Sequence, residues 1–193
     1  MSRGSRDVTP AGAILTAPSA RFAASFAEAL AEGFRRGNRA AASTAEIRRA
    51  RGDFRAYLVQ RLEQAARIVL PDGRRVPPVP VSLHWLVAGE EFLGELSFRH
   101  RLCPELRLSG GHMGYGIRPS RRGRGFAKRL LALGLDLARA KGLPQALLTC
   151  HDDNRASARV IETNGGVLED VIDDIFGGGP LRRYWIDLGG AGA

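Results

Sequence analysis

Ile117-Arg-Pro-Ser-Arg-Arg-Gly-Arg-Gly-Phe-Ala-Lys128 is the stretch on which the reading of this chain turns. Before it, Gly111–Ile117 has the length and composition of a strand, and Pro119 stops it. After it, Leu130, Leu131, Leu133, Leu135, Leu137 and Ala138 give Arg124–Lys141 the broad apolar face of a helix, closed by Gly142. A helix start exposes unpaired N–H groups and the positive end of the macrodipole. Gly123, Gly125 and Ala127 let backbone approach a ligand closely there, and the neighbouring arginines add positive charge. The stretch therefore reads as a pyrophosphate site between a strand and a helix. A Walker loop would end in Gly-Lys-Ser/Thr, whereas Lys128 is followed by Arg129. A dinucleotide loop needs a third glycine and a later acidic ribose ligand, and neither is suitably placed. The alternative reading of Gly123 and Gly125, a tight turn that merely caps a helix, ranks below the phosphate site.

Working outward, the segments alternate in period. Ala11–Thr16 reads as a short strand, and Phe22, Phe26, Leu30 and Phe34 recur at four-residue spacing along a helix over 19–36. Ser43-Thr44-Ala45-Glu46 has the form of a capping box, predicting a second helix towards Leu70. Its buried side would carry Ile47, Phe54, Leu58 and Leu62, with Gly52 a weak point and Pro71-Asp72-Gly73 its stop. Val79–Val87 and Phe92–His100 predict a hairpin about Gly89-Glu90. Beyond the long helix, Ala146–Cys150 reads as a strand, Ala156–Thr163 as a helix and Val167–Ile175 as a strand. Gly177–Pro180 then turns into a last strand, Leu181–Leu188. This order is an α+β layout around one sheet. We expect a single domain over 1–193, with a helical part over 1–75, a sheet and binding core over 76–188 and a loose tail over 189–193.

Composition narrows the classes. A hydrophobic fraction of 44% with 25% charged residues suits a globular chain, and no apolar run approaches the roughly 20 residues of a membrane span. The 29 Lys and Arg against 20 Asp and Glu leave a charge of +9, which favours anionic partners without choosing among them. Cys103 and Cys150 show neither metal-ligand spacing nor a disulfide framework. Met1–Leu30 is basic and Ser/Ala-rich but lacks a secretory apolar core, so we read it as part of the folded protein, and the protein as cytoplasmic.

Arg122-x-x-Gly125-x-Ala127, with Leu147-Leu-Thr-Cys-His-Asp-Asp-Asn154 beyond it, resembles the GNAT acetyltransferase superfamily. Five ordered pieces resemble one predicted-acetyltransferase branch more closely. They are Trp85-Leu86-Val87, Arg99-His100, Gly110-Gly-His-Met-Gly-Tyr-Gly-Ile-Arg-Pro119, Asp153-Asn154 with Ser157, and Ile161-Glu162-x-Asn164-Gly165-Gly166. The resemblance runs from about Val79 to Leu168. It implies a mixed, mostly antiparallel sheet whose two central parallel strands splay apart, flanked by helices, with the pantetheine of acetyl-CoA in the gap. Carried over position by position, it gives Tyr115, Gly116 and Ile117 as backbone partners of pantetheine. Gly123, Arg124, Gly125, Phe126, Ala127 and Lys128 would hold the pyrophosphate, Arg122 would set the loop, and Asn154 would touch pantetheine or the thiol end.

The implied activity is attack of a primary amine, on a small molecule or peptide, on the acetyl-CoA thioester. It calls for a base, an oxyanion donor and an acid for the departing thiolate. The base candidates are His112, Glu95 and His100, with a lean to His112. For the acid, relatives carry a tyrosine where this chain has Ile161, leaving Ser157, Tyr115, Tyr184 or water. His151, beside the expected thioester, is another titrating group, read first as an exposed loop residue. No metal is implied, and a homodimer is allowed for. Two competing readings stand: a CoA-binding sensor or degenerate GNAT module without turnover, and, last, a nucleic-acid-binding protein using Arg118, Arg121, Arg122, Arg124 and Arg129.

Overall fold

Glycines and caps, more than any single apolar run, decide where the elements begin and end. The computed structural model describes residues 8–35 and 41–189. Residues 190–193 of the expected tail lie outside the described residues.

Pro10–Gly12 forms a 3-10 turn before a three-residue strand β1, Ile14–Thr16. A second 3-10 turn leads into helix α1, Ala23–Ala31. The phenylalanine stripe outlasts this helix. Gly33, at φ 85°, donates to Leu30 and the Phe34 N–H to Ala29, a Schellman closure that tucks Phe34 back under α1. Phe26 stacks on Trp85 with ring centroids 4.7 Å apart, and Phe34, Phe54, Tyr57 and Phe92 complete an aromatic cluster.

The single helix expected after Ser43 is two. Ser43 accepts the Glu46 N–H as its box predicts, opening α2, Thr44–Gly52. Asp53 then leaves helical geometry and its carboxylate accepts the Ala56 N–H, opening α3, Phe54–Ala66. The break resets the helical phase. Tyr57 becomes buried, and Leu62, expected on the buried side, is 39% exposed.

Strands β2, Val81–Ala88, and β3, Glu91–Arg99, pair antiparallel. Gly89, at φ 58°, takes the first central position of the two-residue turn between them, where type II′ turns favour glycine. A five-residue helix α4, Pro104–Leu108, too short for periodicity to announce, precedes β4, Met113–Ile117. Helix α5, Phe126–Ala140, buries Leu130, Leu131, Gly134, Leu135 and Ala138 against β3 and β4. A Cβ on Gly134 would come within 2.7 Å of Leu96, so glycine permits the close packing. Then follow β5, Gln145–His151, α6, Arg155–Thr163, β6, Val167–Asp173, and β7, Pro180–Asp187.

The strands form two ladders where the spacing alone suggests one sheet. Their orders are β1-β2-β3-β4 and β5-β7-β6, and every pairing within them is antiparallel. β4 and β5 are thus facing edges, which is the splay that the resemblance implies. They are pinned where they begin: the His112 N–H donates to Leu147 O at 2.7 Å, and the Leu147 N–H donates to His112 Nδ1 at 2.9 Å. Gly111, at φ 59°, makes the approach possible, since a Cβ there would lie 2.4 Å from Leu147 O.

Candidate active site

Between the facing edges opens a cavity of about 570 Å³. Met113, Gly114 and Tyr115 line it from β4, and Thr149, Cys150 and His151 from β5. Asn154 and Ser157 close one end from α6, and Asp174 and Phe176 wall it from the segment after β6. Among the described residues no group of three or more potential ligands could hold a metal.

The phosphate-loop candidates follow β4 directly. Gly123 and Gly125 stand at φ 72° and 83°, and Gly125, having no side chain, caps α5 without a cap bond of its own. Those amides, beside small Gly123, Gly125 and Ala127, suit the pyrophosphate of a CoA-type ligand. The arginines divide into two sets. Arg118 is buried and bonds Glu32, Glu28 and Ser25, while Arg121 holds Glu91 through two bonds of 2.7 and 2.9 Å. Both fasten the loop to α1 and β3. Arg122 reaches back to the Ile117 carbonyl at 3.2 Å, so it braces the turn. Arg124 and Lys128 are exposed at the helix start, and the Arg129 Nε is buried. A cluster so divided is not one open basic face, which weakens its reading as a nucleic-acid surface.

Tyr115, Gly116 and Ile117 lie on the edge strand, opposite Leu96, Glu95 and Gly94 of β3. Asn154 caps α6, accepting the Ser157 N–H at 3.1 Å, and also lines the cavity. Ser157 Oγ sits 2.9 Å from the Tyr115 hydroxyl. Burial raises the Tyr115 phenol, opposed by the Ser157 hydrogen bond, and pushes the Cys150 thiol up to about 11. Both groups stay protonated near neutrality.

The two leading base candidates lie elsewhere. His112 is buried, its Nδ1 engaged by Leu147. Burial, with the charges of Arg107 and Arg99, lowers its imidazole to about 4. Glu95 is fully buried, with one oxygen on Arg61 at 2.9 Å and the other on the Trp85 indole at 3.0 Å. Neither lines the cavity. His100 shares Ser82 with His84 on the β2–β3 hairpin, also away from it. Tyr184 is buried and donates to Glu162, and Ile161 is buried in the core beside Gly166. His151, by contrast, ends β5 with its side chain 16% exposed and lines the cavity, rather than lying in an exposed loop. Asp174 and Ser109 also belong here, and no periodicity in the sequence marks them.

The profile of the acetyltransferase (GNAT) domain family matches residues 38–167. No curated protein sequence matches the chain. Among solved structures it is similar to Mycobacterium smegmatis RimJ in complex with CoA-disulfide, at 21% identity and TM-score 0.63, covering 92% of this chain and 83% of that one. The ribosomal-protein-S5-alanine acetyltransferase from Vibrio fischeri matches at 15% identity and TM-score 0.60, covering 92% and 94%. The acetyltransferase-like yncA from Salmonella typhimurium, with its cofactor acetyl-CoA, matches at 15% identity and TM-score 0.56, covering 94% and 97%. At such identities these structures speak to the fold, while the profile spans well over half the sequence. The chain belongs to the GNAT acetyltransferase family.

Proposed function

We propose that this enzyme transfers an acetyl group from acetyl-CoA to a primary amine of a small molecule or peptide by direct attack. The observation that carries the reading is an arrangement of neighbours. The edge strand β4 lines the cavity with Met113, Gly114 and Tyr115, Ser157 lies opposite, and the same strand leads directly to the glycine-capped start of α5. A pyrophosphate at Gly123–Lys128 leaves pantetheine beside Tyr115–Ile117 and the thioester near Asn154.

There the amine lone pair forms the C–N bond as the C–S bond breaks. A β4 backbone N–H serves the oxyanion, and the Tyr115–Ser157 hydroxyl pair protonates the leaving thiolate. This pair takes the place of the tyrosine that Ile161 replaces. A protonated Cys150 argues against an acetyl-enzyme. The two neighbours that carry CoA or acetyl-CoA support the co-substrate, and the ribosomal-protein-S5-alanine acetyltransferase supports peptide acceptors.

Calorimetric titration of acetyl-CoA tests the reading first. We expect saturable binding, weakened about 100-fold or more in Gly125→Glu, where a carboxylate meets the pyrophosphate. Wild type that does not bind sinks the proposal. A panel of polyamines, amino acids and peptides with free N termini then separates transferase from sensor: binding without acetylation of any amine favours the sensor.

A further inference from the structure

One wall of the cavity belongs to neither the phosphate loop nor the Tyr115–Ser157 pair. It is made by the end of β5 and by the turn between β6 and β7. Asp174 begins that turn with its side chain only 6% exposed. Its Oδ1 accepts the Ser109 hydroxyl at 2.5 Å and the Phe176 N–H at 3.0 Å, which fixes the carboxylate. The other oxygen lies 3.7 Å from His151 Nε2. Across the turn, the Asp174 N–H donates to Gly179 O and the Gly177 N–H to Asp174 O, holding the tip over the imidazole. Gly178, at φ 116°, lies against the ring, and a Cβ there would come within 2.6 Å of His151 Cε1. The turn is shaped around this histidine.

From this geometry we propose that His151 is the general base of the reaction and Asp174 its positioning residue, an inference that rests on the acetyl-transfer reading above. A primary amine enters as its ammonium, which has no lone pair to offer. The imidazole takes one ammonium proton and later returns it to water. The neutral amine forms the C–N bond, the C–S bond breaks, and the second amine proton replaces the one that the Tyr115–Ser157 pair gives to the thiolate. His151, Tyr115 and Ser157 line the same cavity, so base and acid share one chamber. His112 and Glu95 lie outside this cavity, held by Leu147 and by Arg61 and Trp85.

The test follows CoA release from acetyl-CoA by wild type, His151→Ala and Asp174→Asn. The acceptors are the best primary amine of the panel and, separately, water alone. Asn at 174 keeps an oxygen for Ser109 and Phe176 and changes the group facing the imidazole. We expect His151→Ala to lose about 100-fold in kcat near pH 7 with acetyl-CoA affinity unchanged. Asp174→Asn should lose kcat with little change in acceptor KM or melting temperature.

As pH rises and solvent deprotonates the amine, the gap between His151→Ala and wild type should close. A structural role would leave the gap constant. Asp174, Cys150, Arg67 and Arg99 line the same cavity, and Asp152 behind the strand end is tied to Arg182. The Asp174→Asn profile reports what the nearest of these contributes. Equal release by wild type and His151→Ala, including none above the protein-free rate from either, overturns the base. A gap that persists at high pH also overturns it. Failure of wild type to bind acetyl-CoA is a different result and removes the proposed function itself.

Discussion

His112 and Leu147 exchange two bonds, one through the His112 backbone N–H and one through its Nδ1, so a single histidine joins the two sheets. The accepting Nδ1 requires that nitrogen to be unprotonated, and burial beside Arg107 and Arg99 lowers its pKa to about 4. The unfolded imidazole, near 6.5, binds its proton first as pH falls. This contribution is therefore complete above about pH 6.5 and lost by about pH 4, of order 3 kcal/mol in all. His112→Phe should remove that slope from urea-unfolding free energies measured between pH 7.5 and 4.5. It should also cost about 1–3 kcal/mol at pH 7 by orphaning the Leu147 N–H. An unchanged slope in the variant refutes the assignment.

Gly111 and Gly123 share a left-handed backbone but not their surroundings. A Cβ at Gly111 meets the Leu147 carbonyl at 2.4 Å, whereas one at Gly123 meets none of the described residues within 4 Å. Gly123→Ala should cost only the backbone strain, about 1 kcal/mol. Gly111→Ala must also push the sheets apart and should cost at least about 3 kcal/mol. Denaturant midpoints of the two variants decide it, and equal losses would mean that the junction yields freely.

Much of this layout was legible because glycine, proline and caps write their requirements locally. The hairpin about Gly89, the capping box at Ser43 and the helix after Gly125 all appear near their expected places. Where a longer-range choice decides, the sequence is silent. Asp53 reads equally as a surface residue of one long helix or as the cap of a second, and tertiary packing of Phe54 and Tyr57 selects the cap. The same holds in the site. The phosphate loop is contiguous, so its residue types suffice to find it. His112, Glu95 and His151 are each a titratable group near a strand, and only the partners brought from Leu147, Arg61 and the Asp174 turn distinguish them.

Arg118 couples α1 to the phosphate loop. Its guanidinium bonds Glu32 at 2.7 Å and Ser25 at 2.9 Å, and Glu32 also accepts the Ser120 N–H at 3.1 Å. Arg118→Met should cost about 2–3 kcal/mol, below a fully buried pair because Glu28 is exposed to solvent. It should also weaken acetyl-CoA binding through the loosened loop. Arg118→Lys should restore little, since one ammonium cannot reach three partners in that plane. Thermal melts and calorimetric titration measure the two effects separately.

Tyr115 and Ser157 sit 2.9 Å apart at the closed end of the cavity, and the proposed thiolate donor is the pair rather than either hydroxyl alone. Tyr115→Phe keeps the ring but removes the proton, so kcat should fall about 10- to 100-fold while acetyl-CoA affinity changes little. Ser157→Ala should do the same. The double variant should lose hardly more than either single one, because groups that act as a unit are not additive. Cys150→Ser supplies the contrast. With its thiol held up near 11 by burial, Cys150 is protonated at neutral pH and is no nucleophile, so this variant should keep its kcat. A burst of CoA release before steady turnover, abolished in Cys150→Ser, would instead reveal an acetyl-enzyme and replace direct attack with a two-step transfer.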